Sequence, residues 1–573
     1  MTWKQVVKQW QEYEALDDKL KIELTELSQH PQELEEAFYA PLEFGTAGMR
    51  GLIGPGINRM NIYTVRQATE GLALFIEEAK LKETYKVAIA YDSRHQSEVF
   101  ALEAARVLGA HNFEVFLFES LRPTPELSFA LRELNCDGGI MITASHNPAS
   151  YNGFKVYGSD GGQLPPAEAD RLTAYVRQLD SPLEIQVMAA EAVASSPLIH
   201  YLGEEMDQRY LAALTSVSLN KKLIATHGQE LKIVYTPLHG TGGMLVSRAL
   251  AQAGFTAMTM EPAQSKIDPD FSTVPSPNPE EFSAFEYAIR LGKTTQADLL
   301  LATDPDADRL GAAIKLSNGD YDILSGNQIA ALLVDYLLNY YQEQQCLPDQ
   351  GVVLKSIVSS ELVTGICEAY GVKLENVLTG FKFIAERIKG YEENHSQEFL
   401  FGFEESYGYL IKPFVRDKDA IQGLLLLSEV ALFHKKQGHS LLEALNNIYE
   451  KYGYYAEKTV SITMAGQTGQ QKIAELMATI KAQPLTEIAN LPVEIIEDYS
   501  QQRRTFANQQ VEAIDLPQAD VLKYYLVDGS WLAIRPSGTE PKIKFYIGVK
   551  GQSSQEATNK IAAIEQAIQS LIK

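Results

Sequence analysis

The sequence predicts an α/β protein with three similar domains, each with a mixed or parallel sheet, and a smaller C-terminal α+β domain. At 573 residues the chain is too long for one hydrophobic core, which favours several domains. A strand–helix–strand pattern recurs three times, and after about residue 454 it gives way to strands of alternating polarity. These observations together indicate three repeated domains and a different fourth one.

The N-terminal residues predict a helical arm. Residues 2–40 are acidic, and Trp3 and Trp10 belong to a set of apolar residues at helical spacing. We expect this amphipathic arm to pack against the first domain. The segment Phe44–Gly51 is rich in glycine, carries Arg50 and is predicted to be a loop.

Three stretches then share one order of elements: a strand, a helix, a glycine and a second strand. Alternation of this kind is typical of parallel βαβ units with right-handed crossovers. The first stretch has predicted strands at 86–92 and 114–118, with a helix at 97–108 between them. In the second, strands at 231–235 and 256–260 flank a helix that ends at 253. In the third, a strand at 351–354 and a helix at 361–370 precede a strand that begins at 372.

Each stretch contains a further strand that ends in a polar string. The strings are Thr143–Pro148, Thr303–Arg309 and Phe403–Gly408. Because equivalent strands of repeated domains end in equivalent places, we expect one site to receive a loop from each domain. The predicted domains are 1–205 with the arm, 206–322, 323–453 and 454–573.

The C-terminal stretch predicts an antiparallel sheet followed by a helix. Residues 460–464, 531–535 and 542–546 alternate like half-buried strands, and 555–573 carry a helical apolar stripe. We expect this smaller domain to be hinged.

Composition favours a soluble cytoplasmic protein. The formal net charge of −24, from 50 basic and 74 acidic residues, argues against nucleic-acid binding, which needs a basic face. The three cysteines lack metal-ligand spacing and are typical of a reducing compartment. No membrane association is expected, because the N-terminus lacks a signal-peptide core and the apolar run 423–427 is too short to span a bilayer.

Ser145 is the candidate reactive hydroxyl. It follows the predicted strand Gly139–Ile142, and open α/β sheets present reactive groups at the carboxyl ends of their strands. The adjacent His146 could stabilise an anion on that oxygen. An ordinary turn closed by Asn-Pro explains the same string. A hydrolase triad is unsupported, because the glycines of a nucleophile elbow are absent.

Asp304, Asp306 and Asp308 are candidate metal ligands. Three carboxylates at alternate positions of one loop repel one another unless a cation is present, and Mg²⁺ takes oxygen ligands. An EF-hand is excluded, because Arg309 stands at its glycine position and Lys315 at its final glutamate position. A solvated acidic turn remains the alternative.

Further strings suit a phosphorylated sugar. The segment Arg535–Lys542 combines a guanidinium, two hydroxyls, a glycine and a lysine, the donors that hold a phosphate dianion, although a plain turn is the alternative. Glu404 and Ser406 lie two residues apart, so in an extended segment they would face one side and bind sugar hydroxyls. The charged string 416–419 is usually just a solvated loop, and the glycine-containing loops 379–382 and 235–243 are weak signals alone.

Taken in order, these strings resemble the motifs of the α-D-phosphohexomutase family over nearly the whole chain. Thr143–Pro148 is similar to its phosphoserine loop, Asp304–Arg309 to its magnesium loop, Phe403–Gly408 to its sugar loop and Arg535–Lys542 to its phosphate loop. The string Glu404–Gly408 and the chain length are most similar to phosphoglucomutases of the longer bacterial branch.

The resemblance implies four domains around a central cleft and a reversible shift of a phosphoryl group between O1 and O6 of glucose. A phosphorylated Ser145 would donate to the substrate, giving glucose 1,6-bisphosphate, which reorients and returns the other phosphoryl group. The implied cofactor is Mg²⁺, and the implied partners are small sugar phosphates, bound by a monomer or weak homodimer.

The resemblance also implies a role for each matching residue. Catalysis would use Ser145, His146, Arg50 and Lys155. As general base, Lys155 would need a depressed pKa, which nearby Mg²⁺ and Arg50 would favour. The metal would be bound by Ser145, Asp304, Asp306 and Asp308. Substrate would be bound by Arg309, Thr379, Gly380, Glu404, Ser406, Lys418, Arg535, Ser537, Gly538 and Thr539.

Two departures from the family pattern leave alternatives open. Phe403 stands where many relatives have Gly, and Lys544 stands where Arg is common. A phosphomannomutase or phosphopentomutase of the same family is the alternative function. A sugar-phosphate-binding paralogue without activity is the more distant one.

Overall fold

The structure is a computed structural model that describes residues 2–45, 48–78, 82–464, 467–537 and 542–572. The chain forms two compact units. The first comprises Met1–Leu324, Ile384–His395 and Ser406–Lys436, and the second comprises Ser325–Phe383, Ser396–Glu405 and Gln437–Lys573. None of the helices in these described ranges combines the length and the apolar character needed to cross a membrane.

The N-terminal arm consists of three helices: α1 (Trp3–Glu12), α2 (Asp18–Leu27) and α3 (Pro31–Phe38). Trp10 is buried, and its ring meets Phe38 and Tyr63 edge-on, with centroids 5.5 and 5.6 Å apart. Because Tyr63 lies beyond the arm, on the first helix of the following α/β segment, the arm packs against that segment as predicted.

The first α/β segment places helices around a seven-stranded sheet. Its elements are β1 (Phe44–Gly45), β2 (Gly48–Leu52), α4 (Ile62–Glu77), β3 (Lys86–Tyr91), α5 (Ser97–Ala110), β4 (Glu114–Phe118), α6 (Thr124–Glu133), β5 (Gly138–Ile142), β6 (Tyr151–Gly158), α7 (Pro166–Gln178), α8 (Ala190–Val193) and β7 (Ile199–Leu202). The strand order is β1-β2-β6-β5-β3-β4-β7. The strands β4-β3-β5 run parallel, and β6 is antiparallel to β5.

The glycine-rich segment before α4 is not the predicted loop. It contains β1 and β2, and β2 pairs antiparallel with β6, so Arg50 projects from a strand. Gly48 has φ 94°, and a Cβ there would lie 2.6 Å from the carbonyl oxygen of Phe154. Glycine at position 48 therefore allows β2 to approach β6 closely.

The second segment repeats the pattern with fewer strands. Its elements are α9 (Glu204–Leu214), α10 (Lys221–His227), β8 (Ile233–Thr236), α11 (Gly242–Ala253), β9 (Met258–Met260), α12 (Phe282–Thr295), β10 (Leu299–Thr303), β11 (Leu310–Lys315) and β12 (Tyr321–Ile323). The order is β12-β11-β10-β8-β9. The strands β9-β8-β10 run parallel, and β11 is antiparallel to β10.

The third repeat uses the same central arrangement. Its elements are α13 (Gly326–Glu343), β13 (Gly351–Ser356), α14 (Leu362–Tyr370), β14 (Lys373–Val377), α15 (Phe381–Asn394), β15 (Glu398–Glu404), β16 (Gly408–Leu410), α16 (Ala420–Lys436) and α17 (Leu441–Tyr452). The strands β14-β13-β15 run parallel within the second unit, whereas β16 and α16 belong to the first unit.

In all three repeats the central strand thus pairs with the next strand on one side and with the later, loop-bearing strand on the other. Each predicted polar string begins at the carboxyl end of that later strand: β5, β10 or β15. Burial on both faces explains the apolar composition of these parallel strands, such as the wholly buried β10. The predicted threefold α/β repeat is confirmed.

The C-terminal segment contains the predicted antiparallel sheet and final helix, together with a second helix, α18, that was not predicted. Its elements are β17 (Tyr454–Thr463), α18 (Gln467–Ala482), β18 (Glu487–Ile488), β19 (Leu491–Asp498), β20 (Arg503–Phe506), β21 (Val511–Ala513), β22 (Leu522–Leu526), β23 (Trp531–Pro536), β24 (Lys542–Gly551) and α19 (Ser554–Ile572). The order is β17-β24-β23-β22-β19-β20-β21, with β18 paired to β19. One face packs on α18 and α19 through Ile473, Ile564 and Ile568.

Candidate active site

Ser145 lies in a strained turn directly after β5. Its φ is 52°, in the left-handed region that residues other than glycine seldom adopt, and 1% of the residue is exposed. The Ser145 N–H donates to Thr143 Oγ1 at 2.8 Å. Strain of this kind needs support from surrounding structure, and it is common where a reactive group is held in place.

The side chain of Arg94 restrains this turn through hydrogen bonds. Its buried guanidinium donates to the main-chain carbonyls of Ser145, Asn147, Pro148 and Tyr151. A single side chain therefore restrains the whole loop that carries the hydroxyl.

Asp92 holds both Arg94 and Thr143. Its Oδ2 accepts a hydrogen bond of 2.6 Å from Thr143 Oγ1, and it lies 3.2 Å from Arg94 Nε. Sequence reasoning missed both Asp92 and Arg94. Their position directly after β3, the parallel neighbour of β5, was the signal that could have indicated them.

The three aspartates of the second polar string meet the hydroxyl. Asp304, Asp306 and Asp308 are buried, and one oxygen from each lies within 4.8 Å of the others. Ser145 Oγ donates to Asp304 Oδ2 at 2.6 Å. The structure thus brings together all four predicted metal ligands, Ser145 and the three aspartates.

The aspartate cluster fits a divalent cation. Asp306 Oδ1 and Asp308 Oδ1 are buried and have no hydrogen-bond partner among the described residues. Burial, and then the charges of Asp306 and Asp308, raises the pKa of Asp304 well above its ordinary value. An all-oxygen donor set with unpartnered carboxylate oxygens suits a hard cation such as Mg²⁺.

The loop 235–243, a weak signal in the sequence, supports this metal loop. A Cβ on Gly240 would lie 2.3 Å from Pro305 Cα, so only glycine permits the observed approach. Thr241 donates to the carbonyl oxygen of Pro305 through both its N–H (2.8 Å) and its Oγ1 (2.9 Å). These contacts hold the turn in which Ala307 adopts φ 50°.

Lys155 lies against the same carboxylates. Its Nζ donates to Asp306 Oδ2 at 2.8 Å and lies 3.3 Å from Asp308 Oδ2. Burial lowers the pKa of Lys155, but the two aspartates outweigh burial and raise the pKa above its ordinary value. The depressed pKa that the resemblance implies for Lys155 concerns a site holding Mg²⁺, so it stays a prediction.

Lys418 belongs to the cluster as well. Its Nζ lies 3.1 Å from Asp308 Oδ2 and 3.0 Å from Asp417 Oδ1. Asp417 in turn accepts a hydrogen bond from Tyr157 Oη at 2.9 Å. The charged string 416–419 is thus buried rather than a solvated loop, since each charge has partners that are distant in sequence.

His146 lies beside the hydroxyl, and two arginines, Arg50 and Arg309, act electrostatically on His146. Arg50 Nη1 lies 3.3 Å from Asn147 Oδ1, and Arg309 donates to Glu280 and to the carbonyl of Ser406. His146 Nδ1 lies 3.3 Å from Ser145 Oγ. Burial, followed by the charges of Arg309 and Arg50, lowers the pKa of His146 well below its ordinary value, so the imidazole is neutral.

The other predicted residues lie mainly in the second unit. The Gly380 N–H donates to Glu404 Oε1 at 2.7 Å, and the adjacent Thr379 Oγ1 is buried without a partner in the described part of the chain. Ser406 lies in a turn rather than in the extended segment expected, because the chain reverses direction after Glu404.

The predicted phosphate loop connects β23 to β24. Arg535 pairs with Lys544 across these strands, and the Ser537 N–H donates to the carbonyl of Lys542 at 2.7 Å. Gly538 and Thr539 lie outside the described residues, so their predicted role stays a prediction.

Family models match four parts of the chain. Three describe α/β/α domains I, II and III of phosphoglucomutase/phosphomannomutase and match residues 41–182, 208–317 and 325–452. A fourth describes the C-terminal domain of the same family and matches 472–567.

Curated relatives match this chain over nearly its whole length. The chain is 40% identical to a phosphoglucomutase of Staphylococcus epidermidis over 524 residues, which cover 91% of this chain and 93% of the relative. It is 38% identical to the phosphoglucomutase of Staphylococcus haemolyticus over 96% of this chain and 98% of the relative.

Solved structures share the fold. The pp63/parafusin phosphoglucomutase of Paramecium, in its open form, matches with a TM-score of 0.68 at 17% identity and covers 93% of this chain and 96% of its own. A phosphoglucomutase/phosphomannomutase family protein of Burkholderia thailandensis matches with a TM-score of 0.65 at 17% identity, covering 92% and 97%.

Proposed function

Because this chain belongs to the phosphoglucomutase/phosphomannomutase family, we propose that it interconverts glucose 1-phosphate and glucose 6-phosphate. Relatives named phosphoglucomutase, at about 40% identity over nearly the whole chain, support glucose phosphates as substrates. The proposed reaction passes through a phosphorylated Ser145 and glucose 1,6-bisphosphate.

One observation carries the proposal. The Ser145 hydroxyl is buried in a strained turn and hydrogen-bonded to one of three clustered aspartates. Phosphoryl transfer needs little covalent chemistry from the protein beyond a carrier oxygen, but it needs precise positioning and charge neutralisation. The arrangement supplies the carrier oxygen and the groups that position it.

The aspartates and Ser145 would hold the cation. Asp304, Asp306 and Asp308 would bind it through carboxylate oxygens, with an oxygen on Ser145 as a fourth ligand. A bound Mg²⁺ neutralises negative charge on the transferring group.

In the first half-reaction, the free hydroxyl of glucose 1-phosphate attacks the phosphorus on Ser145. A new P–O bond to the sugar forms as the bond to Ser145 Oγ breaks, and the hydroxyl proton leaves to Lys155, the proposed general base. Lys155 Nζ donates to Asp306 Oδ2 and its pKa is raised, so Lys155 must release its own proton to solvent before it accepts that of the hydroxyl.

The remaining residues are proposed to bind substrate. Arg50, His146, Arg309 and Lys418 would contact the transferring phosphoryl group. Thr379, Gly380, Glu404 and Ser406 would bind sugar hydroxyls, and the second phosphate would be held by Arg535, Ser537, Gly538 and Thr539. The three free cysteines support a cytoplasmic enzyme, which we propose to act as a monomer or weak homodimer.

The test combines turnover with mass measurement. The purified chain with Mg²⁺ and glucose 1,6-bisphosphate should convert glucose 1-phosphate to glucose 6-phosphate, followed through glucose-6-phosphate dehydrogenase. Faster turnover of mannose 1-phosphate or ribose 1-phosphate would replace the glucose assignment with another substrate of this family.

Intact mass should show one added phosphoryl group after exposure to the bisphosphate, and peptide mapping should place it on Ser145. Ser145→Ala should lose both the phosphoryl group and the activity. The matched control Ser216→Ala, at an exposed serine near a helix end, should keep both. Full activity in Ser145→Ala would contradict the proposed carrier.

A further inference from the structure

Thr124, at the start of α6, makes two hydrogen bonds to Asp306. Its N–H donates to the Asp306 carbonyl oxygen at 2.9 Å, and its Oγ1 donates to the Asp306 carboxylate Oδ2 at 2.8 Å. Thr124 is wholly buried, and 182 residues separate it from Asp306 in sequence. The two contacts thus join the first α/β segment to the metal loop of the second.

The two carboxylate oxygens of Asp306 differ in their hydrogen bonds. Oδ2 accepts hydrogen bonds from Thr124 Oγ1 and from Lys155 Nζ at 2.8 Å each, whereas buried Oδ1 has no partner within the described ranges. A carboxylate restrained through one oxygen cannot rotate freely about its terminal bond. The unpartnered oxygen therefore keeps one direction, on a carboxylate that belongs to the cluster with Asp304 and Asp308.

We propose that Thr124 is a positioning residue that aims Asp306 Oδ1 at the divalent cation. Outer-shell hydrogen bonds of this kind orient metal-binding carboxylates and contribute to metal affinity. The inference deepens the proposed function, because it concerns the metal loop of the same site. It rests on the hydrogen bonds of Thr124 and on the unpartnered oxygen of Asp306.

The local sequence explains how Thr124 reaches this position. Pro123 precedes the helix with φ −71° and ψ 153°, so the chain enters α6 from an extended conformation. The N–H groups of a first helical turn have no acceptor within the helix. At Thr124 the acceptor is the Asp306 carbonyl, and this main-chain contact brings the hydroxyl next to the carboxylate.

The two contacts can be separated by substitution. Thr124→Val keeps the β-branched shape and the main-chain N–H but removes the hydroxyl donor. Thr124→Ser keeps the hydroxyl. If only the hydroxyl aims the carboxylate, the valine variant loses metal affinity and the serine variant retains it.

The experiment measures Mn²⁺ binding to the metal-free protein by electron paramagnetic resonance, without substrate. We expect the Kd for Mn²⁺ to rise about tenfold in Thr124→Val and to stay near the wild-type value in Thr124→Ser. Because this readout requires no turnover, it decides the role of Thr124 even if the mutase assay fails.

Thr69→Val is the matched control. Thr69 is also wholly buried and donates to a main-chain carbonyl, that of Val65, but it lies within α4 and outside the aspartate cluster. This control should lower the unfolding temperature in EDTA about as much as Thr124→Val and leave the Mn²⁺ Kd unchanged.

Wild-type Mn²⁺ affinity in Thr124→Val would overturn the proposal, as would an affinity in Thr124→Ser as weak as that in the valine variant. If Thr124→Val does not fold, Thr124→Ala removes the same hydroxyl without adding volume and must show the weakened Mn²⁺ binding. Retained affinity in folded Thr124→Ala likewise overturns the proposal.

Discussion

Ser145 Oγ donates a 2.6 Å hydrogen bond to Asp304 Oδ2, although 159 residues separate the two side chains in sequence. The candidate phosphoryl carrier of the first repeat therefore touches the candidate metal ligand of the second. Both residues lie within three positions of the end of the loop-bearing strand of their repeat, β5 or β10. The repeated topology thus explains why a site can assemble from such distant parts of the chain.

Replacing Asp304 by Asn should weaken metal binding without lowering the stability of the fold. The amide oxygen can still accept from the N–H groups of Asp308 and Arg309, as Asp304 Oδ1 does at 3.2 and 3.0 Å. The substitution removes one of three clustered carboxylates, so we expect turnover to fall about 10- to 100-fold. Thermal unfolding in EDTA should start no lower than in the wild type, because no new like-charge repulsion is created.

Thermal unfolding of the same proteins with added Mg²⁺ tests whether Asp304→Asn weakens metal binding. Mg²⁺ should raise the unfolding temperature of the wild type, because a ligand bound only by the folded state stabilises it. It should raise that of Asp304→Asn far less. The control Asp349→Asn, at an exposed position, should respond like the wild type. An undiminished Mg²⁺ response in Asp304→Asn would remove Asp304 from the ligand set.

Arg94→Lys should loosen the turn that carries Ser145. A lysine keeps a positive charge beside Asp92 but cannot donate to four carbonyls at once, as the guanidinium does. Buried carbonyls left without donors should lower the free energy of unfolding by about 1–3 kcal/mol. Misplacement of the hydroxyl should lower kcat about 10- to 100-fold.

Urea unfolding and the coupled assay measure these two effects. Arg177→Lys is the control, since the Arg177 side chain is 66% exposed and its ion pair with Glu43 should contribute little. A wild-type kcat in Arg94→Lys would show that the turn holds its shape without the clamp.

The sequence predicted the strand-end residues better than the residues that support them. Ser145 and Asp304 could be found because each follows an apolar strand in a short polar string, a pattern visible within ten residues. Arg94 and Thr124 carry no such local pattern, because their partners lie 51 to 57 and 182 residues away.

Burial of charge was the other property that the sequence did not reveal. The string 416–419 has the composition of a solvated loop, and only its distant partners, such as Tyr157 for Asp417, make burial possible. The charges that raise the pKa of Lys155 in this structure, those of Asp306 and Asp308, likewise come from the metal loop of a different repeat.

Gly240→Ala should disturb the metal loop without touching a ligand. The added Cβ would meet Pro305 at 2.3 Å from Cα and 2.5 Å from the carbonyl oxygen, so the loop must shift. We expect a cost of about 1–3 kcal/mol in stability and weaker Mn²⁺ binding. Thermal unfolding and Mn²⁺ titration measure the two effects.

Gly390→Ala gives the opposite expectation for the same chemical change. A Cβ on Gly390, within α15, would meet nothing within 4 Å, so alanine should stabilise the protein by about 0.5–1 kcal/mol. If Gly240→Ala melted like the wild type and bound Mn²⁺ equally well, close packing of the loop on Pro305 would not be needed for the site.

Glu457, on β17, should make stability depend on pH in the second unit. Burial raises the pKa of its carboxyl from 4.5 to about 7, against hydrogen bonds from Ser360 and Asn327 and the charge of Lys355, which lower it. Between these two values the folded chain holds a proton that the unfolded chain has released. The free energy of unfolding should therefore fall as pH rises from 4.5 towards 7, and this contribution is lost above the folded pKa.

Glu457→Gln removes the titrating group while keeping an oxygen that can accept from Asn327 Nδ2, which lies 3.3 Å from Glu457 Oε2. The stability of this variant should fall less across the same pH window, so its stability relative to the wild type should increase as pH rises. The nearby carboxyl of Glu361 does not mimic this effect, because its pKa is lowered to about 2, outside the window. Urea unfolding across the window measures the difference, with Glu494→Gln at an exposed position as the control. Parallel pH profiles for wild type and Glu457→Gln would mean that the pKa of Glu457 is not raised in the folded protein.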